Sequence, residues 1–265
     1  MPHSTTLDNF DRTTTLTPTN DAHVFAAELD DSWASLRGVH GGYMTALAVI
    51  AAGAMAPDRP VRSITTSFLR PGVVGPAELT VEVLRDGRSF GTLAVTMHQQ
   101  GRAVTNSRVT VLDVLPGHDW ESVPTDRPLD RSLCIPFTPP PSIRHFAQAE
   151  LLIDPTTVPV GDGSQARIAG HVRPLEPRVI DAAWLAMIGD WFPPSPFRRF
   201  EPPTGGVSID YTVHIHRTLP EDPDRWLEGV FVAETSVAGI ALERGRLGLP
   251  DGTAVAETFH TRWTG

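Results

Sequence analysis

The sequence predicts an α+β fold in which one structural unit occurs twice. Three observations carry that reading. Two apolar segments of helical character, one opening near Tyr43 and one near Val179, start about 136 residues apart. Each follows a strand-like stretch and is itself followed by β-rich runs joined at short glycine turns. Landmarks recur at similar offsets, with Phe68-Leu69-Arg70 answered by Ile215-His216-Arg217 and Gly101 by Gly252. Recurrence of element order is an architectural signal even where the two copies share little identity.

Taken in chain order, residues 3–16 are polar and rich in threonine, with no firm period. Residues 22–29 read as a strand and Asp30-Asp31 as a turn. Three glycines in Gly38-Val39-His40-Gly41-Gly42 mark backbone that must pass close to something. The first helix starts there, with Met44, Leu47, Ala48, Ala51 and Met55 at helical spacing and Pro57 as its stop. Strands are expected over 62–69, 77–85, 89–98 and 102–112, with hairpin turns at Asp86-Gly87 and Gln100-Gly101. Nine prolines between 113 and 160 impose extended or turn-like backbone and little apolar period. This gives an N-terminal repeat over 1–115, a proline-rich linker over 116–160 and a C-terminal repeat over 161–265. In the second repeat, strands are expected over 165–172, 206–215, 226–236, 238–247 and 253–263, and the second helix over 179–192.

Composition narrows the chemistry. The 265 residues carry a net charge of −9, and all 22 basic side chains are arginine. With no lysine, Schiff-base, pyridoxal-phosphate and phosphate-loop chemistry are excluded. One cysteine, Cys134, excludes a disulfide framework and a multi-thiolate metal site. The acidity argues against nucleic acid as a partner. The 14-residue apolar stretch at 43–56 is too short to span a bilayer, and the N-terminus lacks the regions of a signal peptide, so a cytoplasmic protein with no membrane partner is expected. A Gly-x-Ser-x-Gly elbow and a His-Glu-x-x-His helix are both missing. Gly161-Asp162-Gly163-Ser164-Gln165-Ala166 formally fits a dinucleotide fingerprint, but it opens a strand instead of a helix.

The segment 207–216 is the most informative. By period-2 alternation Val207, Ile209, Tyr211, Val213 and Ile215 share one face, and Ser208, Asp210, Thr212, His214 and His216 the other. The polar face is either a solvated sheet surface or a functional one. His214-x-His216 could bind a metal, but lacks a recognisable third ligand, so no metal is assigned. Asp210, close to Gly205-Gly206, could place a carboxylate in a cleft. Ser208-Ile209-Asp210-Tyr211-Thr212-Val213-His214-Ile215-His216-Arg217 resembles the strand that carries the catalytic aspartate in acyl-CoA thioesterases of the TesB (type II) family. Those are double hotdog proteins: two repeats, each an antiparallel sheet wrapped around a central apolar helix. Ala233-Glu234-Thr235-Ser236 resembles the family's threonine strand, and His260 stands where the family has glutamine. His40-Gly41-Gly42 is similar to the turn before the central helix of hotdog thioesterases, where a backbone N–H polarises the thioester carbonyl.

The resemblance implies a thioester hydrolase of lipid metabolism acting on an acyl-CoA, with CoA as part of the substrate and no separate cofactor. Asp210, Thr235 and His260 would be the catalytic set, sharing an attacking water, with His40, Gly41 and Gly42 in substrate binding. Unpaired N–H groups at a helix start suit a developing oxyanion whatever the family; the alternative is a tight turn capped by His40. Single-domain relatives carry an acid about nine positions along this helix, and here that position is Val49. Asp181 and Asp190 on the second helix read as its polar ends in preference to accessory acids. Between Arg59 and Arg108 seven arginines face three acids, whereas from Val207 onward five face nine. Arginine forks suit phosphate oxygens, so Arg59, Arg62, Arg70, Arg85 and Arg88 are candidates for the CoA phosphates, against a plain solvated strand face. A non-catalytic acyl-CoA binding protein, motivated by His260, and a hotdog hydratase are the rivals. A homo-oligomer of such chains is also open.

Overall fold

A computed structural model describes residues 9–113, 115–159, 161, 165–200 and 206–265. Residues 162–164 of the formal dinucleotide fingerprint, and Gly205, lie outside the described residues. The N-terminal unit opens on a short helix, α1 (Asn9–Thr13), and a strand, β1 (Val24–Leu29), then enters α2 (Gly41–Met55). Antiparallel strands β2 (Val61–Phe68), β3 (Gly75–Asp86), β4 (Phe90–Gln99) and β5 (Arg102–Leu112) follow. The C-terminal unit is β6 (Ala149–Ile153), β7 (Arg167–Pro174), α3 (Ala182–Ile188), β8 (Val207–Ile215), β9 (Leu227–Val237), β10 (Ile240–Gly248) and β11 (Ala254–Trp263).

All these strands join one sheet in the order β1-β3-β4-β5-β2-β8-β11-β10-β9-β7-β6, with the two-residue strands Thr17–Pro18 and Ile135–Pro136 at its edges. The two units meet at β2 and β8, where Tyr211 pairs with Thr66 and the hydroxyls of Thr65 and Thr212 lie 3.0 Å apart. Each half of the sheet therefore wraps its own helix and the two helices pack on each other. α2 is apolar on every side, and ten of its fifteen residues are buried. A helix of that kind belongs in the middle of a core.

The stretch expected to be a linker does more than join. Its last third forms β6, which pairs with β7 from Ala149↔Pro174 to Ile153↔Gly170, so the C-terminal sheet begins inside it. The second helix is also shorter than expected. It covers 182–188 because Asp181 caps its start, accepting from Trp184 N at 2.8 Å, and the backbone turns out of it at Gly189. Two β-bulges change the face on which side chains emerge. One skips Ile209, so that Ser208 pairs with Arg262 and Asp210 with Thr261; the other skips Glu234, so that Ala233 pairs with Glu243 and Thr235 with Leu242. A bulge inserts one residue and re-aims its neighbours.

Candidate active site at the junction of the two helices

His40 is the N-cap of α2. Its Nδ1 accepts from Tyr43 N–H at 3.2 Å, which leaves the proton on Nε2, and Nε2 donates to the Asp190 carbonyl at 2.9 Å. Capping and cross-unit contact thus come from a single neutral ring. Burial pulls its pKa down, against the Asp190 carboxylate beside it. Gly42 comes next, and its N–H donates to Asp190 Oδ2 at 3.0 Å. A Cβ on Gly42 would strike the Met187 carbonyl and the His40 ring, so only glycine lets the two helix ends approach this closely. Gly41 is half-buried beneath the Phe68 ring.

Asp190 stands just past the end of α3, nine residues after Asp181, and it is the hub of the site. Oδ1 lies 3.0 Å from His260 Nε2 and 3.3 Å from Arg262 Nη2; Oδ2 faces the start of α2. Burial alone would raise its pKa, but His260, His40 and the Arg262 guanidinium hold the carboxyl well below the usual range, as an anion. His260 is 2 % exposed and stacks flat on Tyr211, 4.3 Å between ring centres, with Tyr211 Oη anchored on the Ala186 carbonyl at 2.9 Å. Its ring nitrogens contact Asp190 and Glu243, but neither contact is aligned as a hydrogen bond. Burial and the nearby Arg262 push its pKa down, against the Asp190 and Glu243 carboxylates.

The predicted site residues divide. His40, Gly41, Gly42 and His260 come together at the helix junction. Asp210 and Thr235 do not join them: Asp210 emerges on the opposite sheet face and accepts from Thr261 Oγ1 at 3.0 Å, while the bulge at Glu234 leaves Thr235 exposed, with Ala233 opposite Glu243. The geometry therefore separates the three groups expected to share a water. Arg59, Arg85 and Arg88 lie by the far end of α2 or in the β3–β4 hairpin, where Arg59 pairs with Asp86 at 3.0 Å and Arg85 stacks over Phe90. A fifteen-residue helix separates that end from Gly41 by about 22 Å. Arg62 donates to the His216 carbonyl, near the same far end. Only Arg70, two residues beyond Phe68, is at the end of Gly41; it is exposed and donates to the Ala103 carbonyl.

Asp190, Glu243 and Arg262 are the site residues the sequence reading passes over. The nine-residue spacing applied to the first helix, His40 to Val49, gives Asp190 when applied from Asp181. Alternation along β11 would have exposed Thr258, His260 and Arg262 as one buried polar row. A second row of rings runs outward from the site. His40 stacks on His145 at 4.2 Å, and His145 contacts Phe146 and Trp191. Burial drives the His145 pKa down to about 2. That series separates Asp190 from a cavity of 290 Å³ lined by Phe137, Phe146, Leu151 and Leu175. His214 and His216 project from the outer side of the sheet, with His216 3.5 Å from Glu257. Among the described residues no group of three or more His, Cys, Asp or Glu is arranged to hold a metal ion.

Two central helices under one continuous sheet, with a carboxylate from one unit meeting the helix start of the other, define a double hotdog protein. Similar solved structures have the same fold. One is a conserved hot dog protein of unknown function from Alicyclobacillus acidocaldarius, 22% identical, with 98% of this chain and 99% of that one covered and a TM-score of 0.85. Another is the acyl-CoA thioesterase II TesB2 of Mycobacterium marinum, 19% identical over 97% and 96%, TM-score 0.78. A third is the tesB protein of Mycobacterium avium subspecies paratuberculosis, 21% identical over 97% and 98%, TM-score 0.75. No curated protein sequence matches. Residues 29–112 match the acyl-CoA thioesterase N-terminal domain and residues 120–263 the C-terminal domain; the chain belongs to the acyl-CoA thioesterase family.

Proposed function

We propose that the protein hydrolyses an acyl-CoA thioester to the free acid and CoA, with Asp190 as the base. The observation that carries this reading is the meeting of an ionised, buried carboxylate with a first-turn N–H, without an intrahelical partner, of a glycine-opened helix. In the structure Asp190 Oδ2 occupies the Gly42 N–H. A thioester carbonyl oxygen entering beside Gly41 would take that N–H as its oxyanion donor, and the released Oδ2 would turn to a water. Asp190 accepts a proton from the water as its oxygen bonds to the carbonyl carbon. His260, held by Tyr211, orients the water. When the tetrahedral adduct collapses, the C–S bond breaks and the thiolate sulfur takes the proton back from Asp190. One water is consumed, and an acid and a thiol leave.

Entry beside Gly41 fits the surface around it. Leu36, Leu69, Val73 and Val74 are exposed apolar residues on two loops that touch where Gly38 packs against the Gly72 carbonyl. Arg70 sits among them and is the arginine proposed for a CoA phosphate; Arg59, Arg62, Arg85 and Arg88 stand toward the other end of α2, about 22 Å along its axis. Thiol release from a panel of acyl-CoAs of graded chain length tests the reading. Turnover of at least one class is expected. A protein that binds these compounds and releases no thiol would instead be the non-catalytic acyl-CoA binder.

A further inference from the structure

We propose that Arg262, clamped by Glu243, is the positioning residue that aims Asp190 and keeps it charged. This rests on the assignment of Asp190 as the base. Arg262 is 3% exposed and its fork is almost fully used: Nε donates to Glu243 Oε1 at 2.7 Å, Nη2 to Asp190 Oδ1 at 3.3 Å, and Nη1 to Ser208 Oγ at 3.0 Å and the Gly206 carbonyl at 3.2 Å. Glu243 is held in turn, its Oε2 accepting from Ser195 N–H at 2.6 Å. A guanidinium bound on every side is a bracket and has no free edge for a substrate anion.

The bracket divides the two oxygens of Asp190. Oδ1 is occupied by Arg262 and His260, so Oδ2 is the oxygen that faces Gly42 and the entry. The sheet is modified to build it. Without the bulge at Ile209, alternation from Tyr211 would put Ser208 on the outer face; with it, Ser208 points inward to Arg262. A buried ion pair contributes little net stability over apolar residues of similar volume, so packing alone does not call for it.

The groups facing Asp190 are His40, which caps α2, His260 and Arg262 on β11, Tyr211 on β8 and His145 from the proline-rich stretch, with Glu243 on β10 behind His260 and Arg262. Arg262 is the one permanent cation among them. The test is the pH profile of kcat/KM for thiol release, with the wild-type profile measured first. In Arg262→Met the acidic limb should move to higher pH by at least one unit, and kcat should fall at least tenfold while KM changes less. Arg262→Lys should keep the limb near its original place and recover only part of kcat, because it returns the charge but not the fork. Arg262→Met with Glu243→Gln covers the case in which the single variant fails to fold, since no unpaired charge is left; its limb should still move. Folded variants whose acidic limb stays in place, whatever their kcat, overturn the proposal. A wild-type chain that releases no thiol overturns the assignment of the reaction instead.

Discussion

At the scale of single residues, the site turns on which of two aspartates faces the helix start. Asp190→Asn should reduce thiol release by at least about a hundredfold in the folded protein, the usual contribution of a positioned base, and lower stability as well, since it takes a buried charge away from Arg262. Asp210→Asn should leave turnover close to wild type, because Asp210 emerges on the other side of the sheet and bonds Thr261. The same assay on both variants decides it; the opposite pattern would return the chemistry to the outer face. His260 was legible from sequence because it stands in a recognisable place on the last strand. Asp210 is proposed from the family resemblance, and alternation already sets it with Thr212 and His214 on the face opposite Tyr211, where the structure keeps it; what alternation misses is Ser208, turned inward by the extra residue at Ile209. A bulge leaves no mark in hydrophobic period when the inserted residue is itself apolar.

At the scale of elements, α2 is held by what its glycines allow. Gly42 has the Met187 carbonyl, the His40 ring and the Asp190 side chain where a Cβ would go, whereas around Gly53 the space is open. Gly42→Ala should destabilise by roughly 1–3 kcal/mol through overpacking and disturb the oxyanion donor, and Gly53→Ala should stabilise by about 0.5–1 kcal/mol through helix propensity. Urea midpoints of the two variants would have opposite signs relative to wild type. Most elements are legible in the sequence: the strand expected at 102–112 is β5, and that expected at 253–263 is β11 but for its first residue. β6 is not, because the prolines around it mask a five-residue strand whose pairing partner lies some twenty residues later. The second helix reads too long because Trp191 and Phe192 continue an apolar run after the backbone has already turned.

At the scale of the whole molecule, burial of neutral histidines couples stability to pH. His40, His145 and His260 all have pKa values depressed first by burial. In the unfolded chain they titrate near the ordinary value of about 6.5, so below it the unfolded state binds more protons than the folded one. Stability should therefore be full above about pH 6.5 and fall on acidification, by up to about 1.4 kcal/mol per pH unit for each ring. Asp190 and Glu243, both depressed, add their loss below the ordinary carboxylate range. Urea unfolding at pH 8, 6 and 5 measures the slope; a flat profile across that window would mean the rings are protonated in the folded protein.

The junction of the helices is not the only place where one unit could offer amides to the other, since the fold nearly repeats itself. The start of α3 has no glycine, its Trp184 N–H is taken by Asp181, and the position on α2 that would answer Asp190 is the buried Val49. Placing both copies on one chain fixes their ratio at one to one, which frees each copy to specialise: the first as the donor of amides, the second as the donor of charge. A tight-binding thioester analogue should accordingly titrate the protein at one equivalent per chain, half of what the count of repeats would give.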